Sequence, residues 1–95
     1  MDNIQATLEE RGSRYGSFDG HASITQQLKI AMRKHDNSVP WHVKLSASQR
    51  EALEMIAHKI GRILNGNPNF SDSWHDIAGY ATLIENEINA EVKHV

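Results

Sequence analysis

The stretch SASQREALEMIAHKIGRIL, residues 46–64, decides the fold. Leu53, Ile56, Ala57, Ile60, Ile63 and Leu64 fall on one side of a helical wheel, and Glu51, Met55, His58 and Arg62 fall opposite. Apolar residues three and four apart argue an amphipathic helix rather than a strand. Ser46, followed three residues later by Gln49, has the pattern of a capping box, in which each side chain serves the other's backbone N–H. Asn65-Gly66-Asn67-Pro68-Asn69 supplies the stop and the turn.

Toward the C-terminus a second amphipathic helix is predicted over about 71–92. Its stripe is Trp74, Ile77, Ala81, Ile84, Ile88 and Val92. A short turn between two such helices implies an antiparallel hairpin. Toward the N-terminus two shorter helices are predicted. One covers about 3–11, with Asn3 as N-cap, Gly12 as stop and Ile4 and Leu8 as a short stripe. The other covers about 23–35, with Ser23 and Gln26 as a capping box and Ile24, Leu28, Ala31 and His35 on one face. Between them GSRYGSFDGH, residues 12–21, reads as a loop whose Tyr15 and Phe18 should pack down. Residues 36–45 contain Pro40 and read as an irregular crossing, with Trp41 capping the core. The predicted architecture is all-α: one domain over 1–95, an antiparallel helical hairpin carrying two shorter helices.

Composition narrows the chemistry. Ninety-five residues, 39% apolar and 23% charged, fit one small globular domain. The chain has no Cys, which removes disulfides, thiolate zinc sites, iron–sulfur clusters and Cys nucleophiles. A net charge of −2 argues against a dedicated duplex-DNA binder. No apolar run reaches the roughly 18 residues of a membrane span, and MDNIQATLEERG lacks the order of a signal peptide. A cytoplasmic protein with no membrane partner is expected. The six His are the compositional oddity, yet no H-E-x-x-H zinc signature occurs. A G-x-x-x-x-G-K-[ST] phosphate loop and a G-x-S-x-G elbow are also absent, and no catalytic residue is assigned. Lys29, Arg33, Lys34 and Lys44 near Trp41 read either as a solvated face or as a single-stranded nucleic-acid contact, the latter being the least favoured function.

The acidic residues carry the sharper expectation. Glu51 and Glu54 lie one turn apart, and Asp72 and Asp76 are spaced i, i+4 on the next helix. Their structural reading is dipole complementarity in the first turns of two helices, with Glu54 paired to His58. Their functional reading is a Mg²⁺ site, since hard carboxylate oxygens suit that ion. A simple hairpin sets Glu51 and Glu54 opposite Tyr80 to Glu87, so meeting Asp72 and Asp76 calls for a second subunit or a bent arrangement. A homo-oligomer is therefore expected. Lys59 and Arg62 are read as phosphate-binding residues or as solvated cations near a helix end. His75 beside Asp76 is either a surface residue or a base.

Glu51-x-x-Glu54, an interval, then Asp76-Ile77-Ala78-Gly79-Tyr80 resembles the all-α nucleoside triphosphate pyrophosphohydrolases of the MazG-like and dCTP pyrophosphatase type. That resemblance implies Mg²⁺ held by Glu51, Glu54 and Asp76, with a nucleotide as partner. It also implies hydrolysis to a nucleoside monophosphate and pyrophosphate. Ser73 stands where the family has a further carboxylate, and Asp72 lies one residue earlier. Over most of the chain, from Glu9-Glu10-Arg11-Gly12 and Arg14-Tyr15-Gly16 to Asp72–Ala81, the sequence also looks like a small phage and prophage helical family of unknown function. That likeness implies the cytoplasm of a bacterial host. The alternative function is a non-catalytic protein–protein interaction module.

Overall fold

The computed structural model describes residues 3–34 and 39–93, and among these every regular element is a helix. α1 spans Asn3–Tyr15, α2 Phe18–Arg33, α3 Trp41–Lys44, α4 Ala47–Asn65 and α5 Ser71–Lys93. The all-α expectation holds. His35, placed on the second helix by its periodicity, lies outside the described residues.

α4 is the central element. Ser46 Oγ accepts from Gln49 N at 3.1 Å, and Ser46 N donates to Gln49 Oε1 at 3.0 Å, so the capping box forms as read. α5 lies antiparallel to α4. Lys59 meets Asp76 near the turn, while Ala47, Ser48, Glu51 and Ala52 sit beside Tyr80, Leu83, Ile84 and Glu87 at the far end. α2 also runs antiparallel to α4, with His21 beside His58 and Arg33 beside Glu54. No helix among the described residues is long and apolar enough to cross a membrane.

The N-terminal half departs from the expected boundaries. Gly12 does not stop the first helix; space around it is open, and the chain stays helical to Tyr15. The break is Gly16, at φ +78°, a left-handed conformation that favours glycine. Ser17, not Ser23, caps the second helix and accepts from Gly20 N at 3.1 Å. The expected loop at 12–21 thus shrinks to a corner at Gly16-Ser17. The reason lies far along the chain. Asn65 Nδ2 donates to Tyr15 O at 2.8 Å and to Ser17 O at 2.7 Å, and Asn67 N donates to Arg14 O at 2.7 Å. A Cβ at Gly16 or at Gly20 would collide with Asn65. Of the two aromatic residues expected to pack down, Tyr15 does, edge-on to Phe70. Phe18 is 83% exposed. Residues 41–44 form a single helical turn, and Trp41 lies half-buried near Arg33.

The interior is unusual for its small side chains. The buried residues of α4 are Ala52, Ala57, Lys59 and Gly61, joined by Thr25 of α2 and Ser73 of α5. Gly61 lets α2 approach, since a Cβ there would lie 2.6 Å from the Thr25 methyl. The large apolar stripe read along α4 is only partly covered: Ala57 is buried and Ile56, Ile60 and Ile63 are half-buried. Leu53 is 39% and Leu64 66% exposed. The face read as solvent-facing, carrying His58 and Arg62, is the one against α2 and α1. Periodicity identifies a helix's apolar face but does not say where its neighbours sit.

Candidate functional site

The corner at Gly16, the start of α2 and the second half of α4 enclose a cleft of about 540 Å³. Leu8, Arg11, Tyr15, Phe18, Ala22 and Thr25 line one side, and His58 and Arg62 the other. Its shape follows from the Asn65 bonds, which set the angle between α1 and α2. The Arg62 guanidinium lies 4.4 Å from the Tyr15 ring centre, a cation–π distance. Behind it, the Arg14 guanidinium sits 4.9 Å over Phe70.

A histidine–histidine–lysine chain forms the floor. His21 Nε2 and His58 Nδ1 are 3.3 Å apart, and His58 Nε2 is 3.0 Å from Lys29 Nζ. Lys29 can only donate, so His58 Nε2 accepts and His58 carries its proton on Nδ1. That proton is donated to His21 Nε2, which leaves the His21 proton on Nδ1. His21 Nδ1 is buried without a hydrogen-bond partner and faces Gly61. Both imidazoles are pushed below the usual histidine range. Burial is the main cause for each. For His21 the next causes are His58, Arg62, Lys29 and Lys59; for His58 they are Lys29, Arg62 and Lys59, with Glu54 opposing. The pair is held neutral inside a ring of cations.

The carboxylates singled out in the sequence go to separate places. Glu54 Oε1 lies 3.7 Å from Lys29 Nζ, and Glu54 Oε2 lies 3.2 Å from Arg33 Nη2. The expected Glu54–His58 pairing gives way to these contacts from α2. Asp76 Oδ2 lies 3.1 Å from Lys59 Nζ, and Lys59 is buried. Lys59, read as a phosphate partner, is therefore engaged by Asp76. Glu51 is exposed and lies beside Tyr80 and Glu87, in the register a simple hairpin predicts. Asp72 and His75 are exposed. Among the described residues no three His, Asp or Glu side chains come together in a way that could hold a metal ion. Glu54 and Asp76 each face a cation instead.

Arg62 is the sequence-selected residue that does reach the cleft. Arg11, Tyr15, His21 and His58 were not assigned there. Their signals were weak but present: two aromatic residues in a glycine-rich stretch, and glycines at 20 and 61 where helices approach closely.

A family model described as "Domain of unknown function (DUF6378)" matches residues 2–88. No curated protein and no solved structure matches the chain.

Proposed function

We propose, on the premise that the chain belongs to this DUF6378 family, that it binds a nucleotide in the cleft between α1, α2 and α4. The observation that carries this reading is Arg62 stacked on Tyr15 at the edge of a concavity also lined by Arg11, His21 and His58. Cations for phosphate and aromatic faces for a base are what a nucleotide site needs, and about 540 Å³ lies within the usual range for a small-ligand pocket. The kinship with MazG-like enzymes, which rests on Glu51-x-x-Glu54 and Asp76–Tyr80, and that with phage proteins, which rests on Glu9–Gly12, Arg14–Gly16 and Asp72–Ala81, belong to the same proposal. Pyrophosphohydrolysis of a nucleoside triphosphate is its fuller form. Mg²⁺ enters as an ion carried by the phosphates; Glu51, Glu54 and Asp76, and also Asp72, are its contacts by the MazG resemblance, and within one chain they lie apart from one another and outside the cleft lining. A host cytoplasm, where such nucleotides circulate, is the proposed compartment.

The test is titration with a panel of ordinary and modified nucleoside triphosphates, with and without Mg²⁺, read by calorimetry and by pyrophosphate release. Binding in the micromolar to millimolar range is expected. Arg62→Ala should weaken it by about tenfold or more, as loss of a charge-assisted contact does. No heat, no thermal shift and no turnover across the panel would end this reading.

A second reading, a non-catalytic interaction module, is favoured by a different observation. Leu53, Leu64, Trp74, Leu83 and Ile88 are each more than a third exposed.

A further inference from the structure

Two of the exposed apolar stripes belong to one surface. On α4, Glu54, His58, Gly61 and Asn65 face α2 and its corner, and Ala52 and Lys59 lie on the α5 side. At about 100° per residue, Leu53, Ile60 and Leu64 are centred about 110° from each of those faces. They therefore lie on the side of α4 that neither neighbour covers. On α5, Asp76, Tyr80, Ile84 and Glu87 are turned toward α4. Trp74, Ala81 and Ile88 form a stripe about 100° round from them.

The handedness of the wheels fixes the rest. The two helices are antiparallel, so their wheels turn in opposite senses when viewed from one end. Leu53–Ile60–Leu64 and Trp74–Ala81–Ile88 then open on the same side of the hairpin. Leu53 is 39%, Leu64 66%, Trp74 56% and Ile88 45% exposed. The indole of Trp74 is fixed on this side by its Nε1 donating to Pro68 O at 2.8 Å. Glu51 and Leu83, and the cleft beyond them at Arg62, open on the other side.

We infer that this face docks a second copy of the same chain, completing a four-helix bundle. Three observations select that occupant. The first is extent. α4 has 19 residues, which at about 1.5 Å each give a face about 28 Å long and two helices wide, about 600 Å² before side-chain relief. A standard interface takes about 800 Å² per partner, so one matching hairpin fills it. The second is shape. The chain is 56 × 30 × 25 Å with a radius of gyration of 16.3 Å, against about 12 Å for a compact domain of this length. A second hairpin is the missing layer. The third is the chemistry of the face. Lys59 is paired with Asp76 across the seam, Arg62 lies in the cleft and Glu87 is turned toward α4, so these charges fall off the face and leave an apolar surface that a copy of itself matches. A two-fold axis sets every neighbouring helix antiparallel.

The interface lies opposite the cleft, so each copy keeps its own cleft, and the inference stands apart from the nucleotide reading. It also sets Glu51 and Asp76 of the two copies on outer faces, away from one another.

Sedimentation of the full chain over a dilution series tests it. The wild type should sediment as a dimer at tens of micromolar. Leu64→Glu should raise the dissociation constant at least about tenfold while far-ultraviolet circular dichroism stays helical, since Leu64 is already exposed within one chain. Leu83→Glu, 59% exposed on the other side, should leave the dimer intact. A monomer at every concentration overturns the inference. So does a dimer indifferent to Leu64→Glu, or one split by Leu83→Glu alone. The wild-type dilution series needs no variant to fold. Nucleotide titration of the Leu64→Glu chain keeps the two proposals separate.

Discussion

Lys59 reaches Asp76 across the α4–α5 seam with its side chain 10% exposed, so the pair is more than a surface ornament. Removing the carboxylate strands a mostly buried charge, which costs more than the pair itself gains. Asp76→Ala is expected to lower stability by about 1–3 kcal/mol in urea unfolding. Asp76→Asn, which keeps an acceptor oxygen, should lose less. The histidines make a second residue-scale prediction. His21 and His58 sit below their ordinary value of 6.5, so near that pH the unfolded chain binds more protons than the folded one. Stability therefore rises with pH there; it is full above about pH 6.5 and declines as the pH falls below it. Melting temperatures across pH 4.5–8 check this. His58→Gln, which cannot titrate, should flatten the curve. Neither histidine was legible in the sequence as part of a site. The residues stand 37 apart, and their meeting depends on the closeness of two helices at Gly61.

At the scale of elements, what was legible is what is decided locally. The Ser46–Gln49 capping box, the hairpin turn and the extent of α4 and α5 all depend on residues within a few positions of one another. Ser46→Ala should cost about 1 kcal/mol, measured by thermal unfolding, by stripping one cap acceptor from the central helix. The start of α2 was not legible. Ser23 with Gln26 has the same local pattern as Ser46 with Gln49, yet the helix begins five residues earlier, at Phe18. The deciding partner is Asn65, 48 residues from Ser17, and no local pattern carries that information. The helix interior tolerated Gly12 for a related reason: a glycine ends a helix only where the chain has somewhere else to go.

The whole molecule is a layered sheet of helices around a thin seam of small residues. α1 has no buried residue, while Thr25, Ala57, Gly61 and Ser73 are nearly inaccessible. Amide exchange should follow that gradient, slowest over Ala52–Gly61 and fastest in α1, as read by mass spectrometry. At this scale the all-α class and the hairpin were readable. The cleft was not, because three helices build it and the sequence orders only their apolar faces. The tie that sets its angle is Asn65, and the next residue is Gly66. Asparagine followed by glycine is the sequence most prone to spontaneous deamidation: the glycine nitrogen attacks the side-chain amide, ammonia leaves, and the succinimide opens to aspartate or isoaspartate. Either product would turn a donor into an acceptor facing the carbonyls of Tyr15 and Ser17. In the folded chain the Gly66 N–H is held by Arg62 O at 3.0 Å and the Asn65 amide by Tyr15 and Ser17, so the bonds that set the cleft's angle also keep the attacking nitrogen from the amide it would close on.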